Sequence, residues 1–299
     1  MLAAKRLPVR RKIAVVLLGA CAVSTTARAE VAYVGERNVA SEAALWRREW
    51  PTFSGIEGAA TVTSGAATLA LALDAPPEDP HWRGGILFDD AVRRSIRLSS
   101  PSARSTARSI GNWPYYTAGL LPLIADPLVA WLAHGDAKAA ANMELISLEA
   151  FSYAGLSSFV STRLSVRERP DTTECRLQHS EGGCERDTEA FWSGHTSIVA
   201  ASAGIVCANH AFMPLWGSAV ADTSACGLAT SAALVTTISR LAADRHYASD
   251  VIVGFGIGFG FGFGVPTLLH YGRSKQPLRV SIRPATFGEG AALDVTGTF

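Results

Sequence analysis

The sequence predicts an all-α protein, a bundle of about six helices. Long apolar segments of helical length recur at 113–133, 141–162, 196–212, 224–243 and 249–269. Proline and glycine breaks separate most of these segments. Hydrophobic residues make up 48% of the 299 residues and the mean hydropathy is +0.19, so membrane association is expected. The net charge of +1 gives no support for nucleic acid as a partner.

The N-terminus has the features of an export signal. Five basic residues precede an apolar stretch over 13–23, and small residues occupy the cleavage positions at 27–29. The stretch is shorter than the about 20 residues that a transmembrane helix needs. We therefore expect a signal peptide over 1–29, with a lipoprotein signal that ends before Cys21 as the alternative. Either signal sends the mature chain to the cell envelope.

The remaining chain divides into an N-terminal region over 30–112, a helical core over 113–272 and a tail over 273–299. The N-terminal region contains one or two helices, at 56–73 and 84–98. Three prolines in the first core segment predict kinks there. The tail alternates between apolar and polar residues and contains two close glycines, which favours a short β-hairpin.

Four cysteines remain after residue 29. Cys175 and Cys184 lie nine residues apart in a polar loop, and Cys207 and Cys226 flank a helix–helix connection. An even number in an exported protein predicts two disulfides, with free buried thiols as the alternative. The cysteines lack CxxC spacing and have no histidine at ligand spacing, so we expect neither a metal site nor a cofactor.

Three short motifs contain the side chains that suit catalysis. They are, in order, Arg163-x5-Arg169-Pro170, Trp192-Ser193-Gly194-His195 and Ser239-Arg240-x5-His246-x3-Asp250. Each motif alone is a weak signal, but their order and spacing together are specific. The basic Arg167 lies inside the first motif.

The motifs resemble those of the superfamily of type 2 phosphatidic acid phosphatases, bacterial non-specific acid phosphatases and vanadium haloperoxidases. That pattern is Lys-x6-Arg-Pro, then Pro-Ser-Gly-His, then Ser-Arg-x5-His-x3-Asp. The third motif matches in full and the second at Ser-Gly-His, and the resemblance covers about 141–270. Thr162 stands in place of the lysine and Trp192 in place of the proline. Arg163 and Arg167 are candidates to supply the missing charge.

The resemblance implies an anion site at one pole of the bundle. It assigns His246 as the nucleophile that forms a phosphohistidine, His195 as the acid that protonates the leaving oxygen, and Asp250 as the partner of His246. The implied phosphate-binding residues are Arg169, Ser193, Gly194 and Arg240, with Arg163 as a further candidate. Arginines and a helix N-terminus can stabilise the charge of a transferring phosphoryl group, so no metal is needed.

The residue pattern of segment 249–269 fits either a strand or a helix. Glycine alternates with phenylalanine or isoleucine over 254–264, which is typical of a strand. Gly254, Gly258 and Gly262 are four residues apart, which lets a second helix approach closely. The resemblance favours a helix. Outside the motifs, Asp244 and Arg245 are interpreted as a solvated pair.

Taken with the resemblance, the sequence predicts a metal-independent phosphatase for a phosphorylated lipid or small phosphate ester. The enzyme is expected in the envelope with its site facing the periplasm. Two alternatives stay open. One is a non-catalytic phosphate- or lipid-binding protein that lost turnover through Thr162, and the other is a vanadate-dependent haloperoxidase. The histidines His210 and His270 receive no role.

Overall fold

The computed structural model describes residues 44–178, 184, 187–272, 279–287 and 290–298. Within this part of the chain the predicted all-α class is confirmed. The helices are α1 (Gly55–Leu73), α2 (Asp89–Ile96), α3 (Pro101–Thr117), α4 (Asp126–Leu128), α5 (Ala137–Ser165), α6 (Pro170–Gln178), α7 (Gly194–Phe212), α8 (Ala219–Ala242) and α9 (Ala248–Val265). Short π-helical segments flank α4, and a third, Pro266–Tyr271, continues α9.

Polar side chains fix the starts of several helices. Ser54 and Glu57 form a reciprocal capping box at the start of α1. Asp136 caps α5 through a 2.8 Å bond from the backbone N–H of Ala139, and Ser193 caps α7. Such caps satisfy backbone donors that have no partner inside the helix. They explain why these helices begin directly after Ser54, Asp136 and Ser193.

The region between α3 and α5 is shaped by prolines. The sequence predicted a helix that starts at 113, whereas α3 starts at Pro101 behind the N-cap Ser100. Helix α3 therefore runs across the boundary drawn at 113 on sequence grounds. Beyond it, the π-helical turns on either side of α4 begin close to Pro122 and Pro127. Proline removes a backbone donor and displaces the carbonyl one turn back, so the irregular turns occur where kinks were expected.

Helix α7 lies at the centre of the bundle and is almost completely buried. Helix α9 packs directly on it, which confirms the helical interpretation of the glycine-rich segment. A Cβ atom on any of three α9 glycines would overlap the α7 side of the contact, namely Gly254 against Ser193, Gly258 against Ser197 and Gly262 against Ala201. The four-residue glycine spacing thus allows contact between the two helix backbones.

The segment before α1 closes one end of the bundle. The backbone N–H of Trp46 donates to Asp136 at the start of α5. The rings of Trp46 and Trp50 pack against Tyr271, with centroid distances of 5.9 and 5.0 Å. This end is opposite the start of α9, where the third motif lies. Residues 44–53, whose position the sequence did not predict, therefore stabilise the far end of the fold.

Both predicted disulfides are formed. Cys175–Cys184 connects α6 to the loop that follows it, and Cys207–Cys226 connects α7 to α8. The first disulfide lies in the connection between Arg169 and Ser193, beside the motifs. The second disulfide joins α7 to α8 near the ends of these helices that lie away from the motifs.

A large apolar surface surrounds the bundle. Four segments are long and apolar enough to cross a membrane, namely Gly55–Leu73, Pro101–Ala133, Ala219–Ala242 and Ala248–Tyr271. Their exposed side chains include Val62, Trp113, Trp131, Leu228 and Ile252. Contiguous apolar surface of this extent is unfavourable in water. The protein is therefore associated with a membrane, as the composition indicated.

The tail forms the β-hairpin that its alternating pattern favoured. Strand β1 (Arg279–Phe287) pairs antiparallel with β2 (Gly290–Thr298), and Ile282 is opposite Val295. The predicted signal peptide and Cys21 lie outside the described residues.

Candidate active site

Four chain segments bring the motif residues to one pole of the bundle. Arg169 stands just before α6, where Val166 turns the chain out of α5 with a φ of 42°. Ser193 caps α7, Arg240 lies in the last turn of α8, and His246 lies in the short connection between α8 and α9. Helix ends therefore meet at this pole, and polar groups replace the apolar surface of the helix sides.

His246 is buried, and its ring is oriented by the backbone. Its Nδ1 lies 2.9 Å from the carbonyl oxygen of Ala190 and 3.7 Å from Oδ2 of Asp250. Because a carbonyl oxygen only accepts, Nδ1 carries the proton and Nε2 has a free lone pair. Burial, with the charges of Arg169 and Arg240, lowers the pKa of His246 well below its usual range. The imidazole is therefore neutral at neutral pH.

Asp250 belongs to a fully buried charge cluster behind His246. Its Oδ2 accepts from the backbone N–H of Tyr247 at 2.8 Å, and its Oδ1 pairs with Nη1 of Arg167. The other terminal nitrogen of Arg167 donates to Asp89 on α2 at 2.8 Å. The guanidinium is enclosed between two rings, with Trp82 at 3.9 Å and Tyr247 at 4.2 Å. Arg167 therefore holds the carboxylate that faces His246, and the proposal that it replaces the missing lysine is wrong.

His195 lies in the first turn of α7 and stacks on Tyr115 of α3. Their ring centroids are 4.1 Å apart and their planes differ by 29°. Burial, together with Arg240, Arg169 and Arg108, lowers the pKa of His195 to about 3. These arginines have this effect because they surround the ring with positive charge. The same charge would attract an anion to this position.

The N-terminus of α7 contacts helices on two sides. The side chain of Ser193 accepts from the backbone N–H of Thr196 at 3.4 Å, and its own N–H donates to the carbonyl of Asp250 at 3.1 Å. A Cβ on Gly194 would lie 3.1 Å from Oγ of Ser158, so a side chain here would press on α5. The first turn of a helix exposes backbone N–H groups and the positive end of its dipole. This turn is a suitable anion site.

Arg169 is oriented by a carboxylate that it shares with Arg245. Its Nε donates to Oδ1 of Asp187 at 2.6 Å, while Arg245 donates to Oδ2 at 2.6 Å and to Asp171 at 2.8 Å. Although burial alone would raise it, the charges of Arg169 and Arg245 lower the pKa of Asp187. Among the described residues, the two terminal nitrogens of Arg169 make no hydrogen bond. They are available to bind phosphate oxygens.

Arg240 is held by a residue from α3. Its Nη2 donates to Oδ1 of Asn112 at 2.5 Å, and its buried Nε has no partner within the described residues. Arg108 lies one turn before Asn112 on α3 and adds to the positive charge around His195. Helix α3 therefore contributes a cation, an orienting amide and the stacking ring of Tyr115. The motif pattern does not include these residues.

Two residues of the first motif lie apart from the anion site. Arg163 donates to the carbonyls of Leu71 and Asp74, each at 2.7 Å, and forms an ion pair with Glu189 at 3.2 Å. Its guanidinium thus caps the C-terminus of α1, an arrangement that the helix dipole favours. The geometry speaks against Arg163 as a phosphate ligand. Thr162 is buried and donates to the carbonyl of Phe159, so it brings no charge to the site.

Asp244 and Arg245 do not form the solvated pair that the sequence suggested. Asp244 is buried and accepts from Nε of Arg93 at 2.6 Å and from Nε of Arg97 at 2.7 Å. Arg245 points instead to Asp187. Each residue joins a separate ion-pair network, because α2 supplies arginines that the sequence did not place near the third motif.

A comparison with protein families agrees with the motifs. The model of the PAP2 superfamily matches residues 144–274, which contain all three motifs. Among solved structures, the chain is similar to a crystal structure of a transmembrane PAP2-type phosphatidylglycerolphosphate phosphatase from Bacillus subtilis. The identity is 16%, the match covers 71% of this chain and 94% of that chain, and the TM-score is 0.47. No curated protein matches the chain with significance.

Proposed function

Because residues 144–274 of this chain belong to the PAP2 superfamily, we propose that the protein hydrolyses a phosphate monoester or pyrophosphate on a lipid through a phosphohistidine. The observation that carries the proposal is the state of His246. Its Nδ1 is held by Ala190, so a neutral imidazole presents the Nε2 lone pair beside two arginines. A neutral imidazole nitrogen is a competent nucleophile towards phosphorus.

In the first step, the Nε2 lone pair of His246 attacks phosphorus and the bond to the leaving oxygen breaks. His195 donates a proton to that oxygen. In the free protein His195 is neutral, since its pKa is about 3. The negative charge of a bound phosphate offsets the surrounding arginines and raises this pKa, so the acid forms when substrate binds.

In the second step, His195 removes a proton from water and the water oxygen attacks phosphorus. The N–P bond breaks, phosphate leaves and the lone pair returns to Nε2. Asp250, 3.7 Å from Nδ1, stabilises the positive charge that His246 carries while it is phosphorylated. When phosphate leaves, the pKa of His195 falls again and the proton taken from water is released to solvent, so both histidines return to their starting states.

Positive charge for the transferring group comes from protein side chains. Arg169 offers its terminal nitrogens, Arg240 lies beside both histidines, and Ser193 and Gly194 open the first turn of α7. Planar guanidinium groups and backbone amides match the equatorial oxygens of a phosphoryl group. This arrangement supports metal-independent catalysis.

A lipid substrate and an exported location fit the surface and the disulfides. The exposed apolar surface supports a position of the pole beside a membrane, where lipid headgroups are found. The Cys175–Cys184 disulfide lies in the same connection as Arg169 and Asp187. Disulfides persist in oxidising compartments. We infer that the pole faces the periplasm and that the N-terminal segment is an export signal.

A second candidate function rests on Thr162. Its hydroxyl is bonded to the carbonyl of Phe159, so the site has no cation at that position of α5. A site with one positive charge fewer could bind a phosphorylated lipid without turnover, because phosphoryl transfer depends on charge stabilisation. Arg108, whose charge acts on His195, is a candidate to offset this loss.

The test is release of inorganic phosphate from phosphatidic acid in detergent micelles with EDTA present. The wild type is compared with His246→Asn, and the exposed His81→Asn serves as the matched control. We expect release that persists in EDTA, is unchanged in the control and falls about a thousandfold or more in His246→Asn.

Other outcomes have defined meanings. Activity in His246→Asn equal to the wild type contradicts the histidine nucleophile. No release from folded wild type, combined with binding of phosphatidic acid, favours the non-catalytic function. Thr162→Lys then shows whether the missing cation is the cause.

A further inference from the structure

Three side chains meet at the end of the bundle opposite His246. Glu57 comes from the first turn of α1, Glu149 from the middle of α5, and His270 from the π-helical segment that continues α9. We propose that these three residues bind a divalent transition-metal ion, for which Zn²⁺ is the probe. This site is independent of the proposed phosphatase chemistry.

The spacing of the side chains suits one ion. Nε2 of His270 is 3.7 Å from Oε1 of Glu57 and 4.0 Å from Oε2 of Glu149. All three atoms lie within 4.8 Å of one another. These separations are too long for hydrogen bonds. Ligand bonds of about 2.0–2.2 Å around one zinc ion put ligand atoms roughly 3.3–3.6 Å apart, so small side-chain movements complete the site.

Each residue is oriented by a second contact. Nδ1 of His270 lies 3.1 Å from the carbonyl oxygen of Pro51, which places the proton on Nδ1 and the lone pair on Nε2. The hydroxyl of Tyr153 donates to Oε1 of Glu149 at 2.7 Å. The backbone N–H of Ser54 donates to Oε2 of Glu57 at 2.6 Å. Contacts of this kind hold metal ligands in position and fix the histidine tautomer.

Burial gives a second, independent reason to expect an ion. His270 and Glu149 are 0% and 1% exposed. Nε2 of His270 and Oε2 of Glu149 have no hydrogen-bond partner among the described residues. Burial of an imidazole nitrogen acceptor and a carboxylate oxygen without partners costs free energy, unless a cation pairs with them. Both atoms lie within 4.8 Å of a carboxylate oxygen of Glu57, whose side chain is 22% exposed and offers a path for the ion.

The ligand set selects the class of ion. One imidazole nitrogen with two carboxylates suits Zn²⁺ and similar transition metals, and leaves a position for water. Mg²⁺ prefers oxygen ligands and holds its own water. A bound ion would join the start of α1 to α5 and to the end of the α9 extension. Its effect is expected on stability, since about 36 Å of helix separates His270 from His246 along α9.

The test uses the full protein in detergent, purified without a polyhistidine tag and treated with EDTA. Zinc binding is measured by isothermal titration calorimetry and by metal analysis after dialysis, and Mg²⁺ is titrated in parallel. The variants are Glu149→Gln and Glu57→Gln. Glu57→Gln retains an oxygen for the bond from Ser54. The matched control is Glu144→Gln, an exposed carboxylate on the same helix as Glu149.

We expect one Zn²⁺ per chain, a higher melting temperature with Zn²⁺, and no measurable Mg²⁺ binding. Each ligand variant weakens zinc binding at least about tenfold, and Glu144→Gln binds as the wild type does. The proposal is overturned if folded wild type binds no zinc, if Mg²⁺ binds equally, or if both ligand variants bind zinc as tightly as the control. None of these readouts depends on phosphate release, so failure of the phosphatase proposal leaves this test intact.

Discussion

Nδ1 of His246 donates a hydrogen bond of 2.9 Å to the carbonyl oxygen of Ala190. The backbone therefore fixes the tautomer, although the resemblance had assigned Asp250 as the partner of His246. The task that remains for Asp250 is electrostatic, because its Oδ2 lies 3.7 Å from the same nitrogen. In the proposed mechanism, Ala190 thus orients His246 and Asp250 stabilises its charge.

We predict that Asp250→Asn lowers kcat by about 10- to 100-fold, or roughly 1.4–2.8 kcal/mol, with little change in KM. The amide cannot stabilise the imidazolium, yet Ala190 still holds the ring. Steady-state kinetics give the loss, and ¹⁵N spectra of the histidines should still show a protonated Nδ1. A loss as complete as that of His246→Asn, or a change of tautomer, would contradict the assignment.

The buried neutral state of His246 predicts a loss of stability in acid. Its pKa is far below the ordinary value of about 6.5 that it regains on unfolding. Below pH 6.5 the unfolded chain binds a proton that the folded protein does not, so stability falls as the pH falls. Melting temperatures between pH 7.5 and 5.5 should drop less in His246→Asn than in the wild type. Parallel curves would refute the prediction.

His195 should change its protonation state when an anion binds. In the free protein at pH 5.5 it is neutral, because its pKa is about 3. A phosphate near Arg169 and Arg240 raises this pKa. Histidine NMR spectra with and without inorganic phosphate, assigned with His195→Asn, should show protonation only in the bound state. A ring that is already charged without phosphate is the opposing result.

Among the arginines, Arg167 should be the one whose replacement lowers thermal stability most. Arg167→Met leaves Asp89 and Asp250 buried without their counter-charge, and breaking a buried pair typically costs about 3–5 kcal/mol. Arg94→Met, at an exposed position of α2, is the control. Thermal unfolding in detergent should show a large loss only for Arg167→Met. Equal melting temperatures for the two variants would mean that the cluster contributes little.

Arg108 is expected to offset part of the charge that Thr162 lacks. Arg108→Gln should lower kcat/KM about tenfold, because it weakens the positive field around His195. Thr162→Lys in the same background should recover part of the activity. Lys138→Gln, exposed at the start of α5, controls for a general effect of charge. Activity that does not respond to Arg108→Gln would exclude this residue from the site.

The sequence predicted that the motif residues would meet at one pole, because each motif is local in the chain. Ser193, His195 and Arg240 lie at helix ends, and His246 lies in the connection just before α9. Interactions over long distances in the sequence were not predictable. Arg167 reaches Asp89 across 78 residues, and no periodic pattern indicates that contact.

Helix α3 shows why part of the site was missed. The sequence placed the helix start at 113, so Arg108 and Asn112 appeared to be in a linker. Recognition of Ser100-Pro101 as an N-cap followed by N1 proline would have placed both on one helical face with Tyr115. His210 and His270 were left without roles for a related reason. Their carboxylate partners, such as Asp126 and Glu149, lie in distant segments.

The exposed apolar sides of the helices end at the pole that contains the two histidines. The lipid substrate proposed above would reach this pole by diffusion within the plane of the membrane, with its acyl chains among other lipids. The substrate concentration that the enzyme encounters is then the fraction of surface lipid molecules that are substrate. The molarity of substrate in the bulk solution does not determine the rate. Dilution with inert detergent at constant substrate molarity should therefore slow the reaction, as expected for chemistry at a surface.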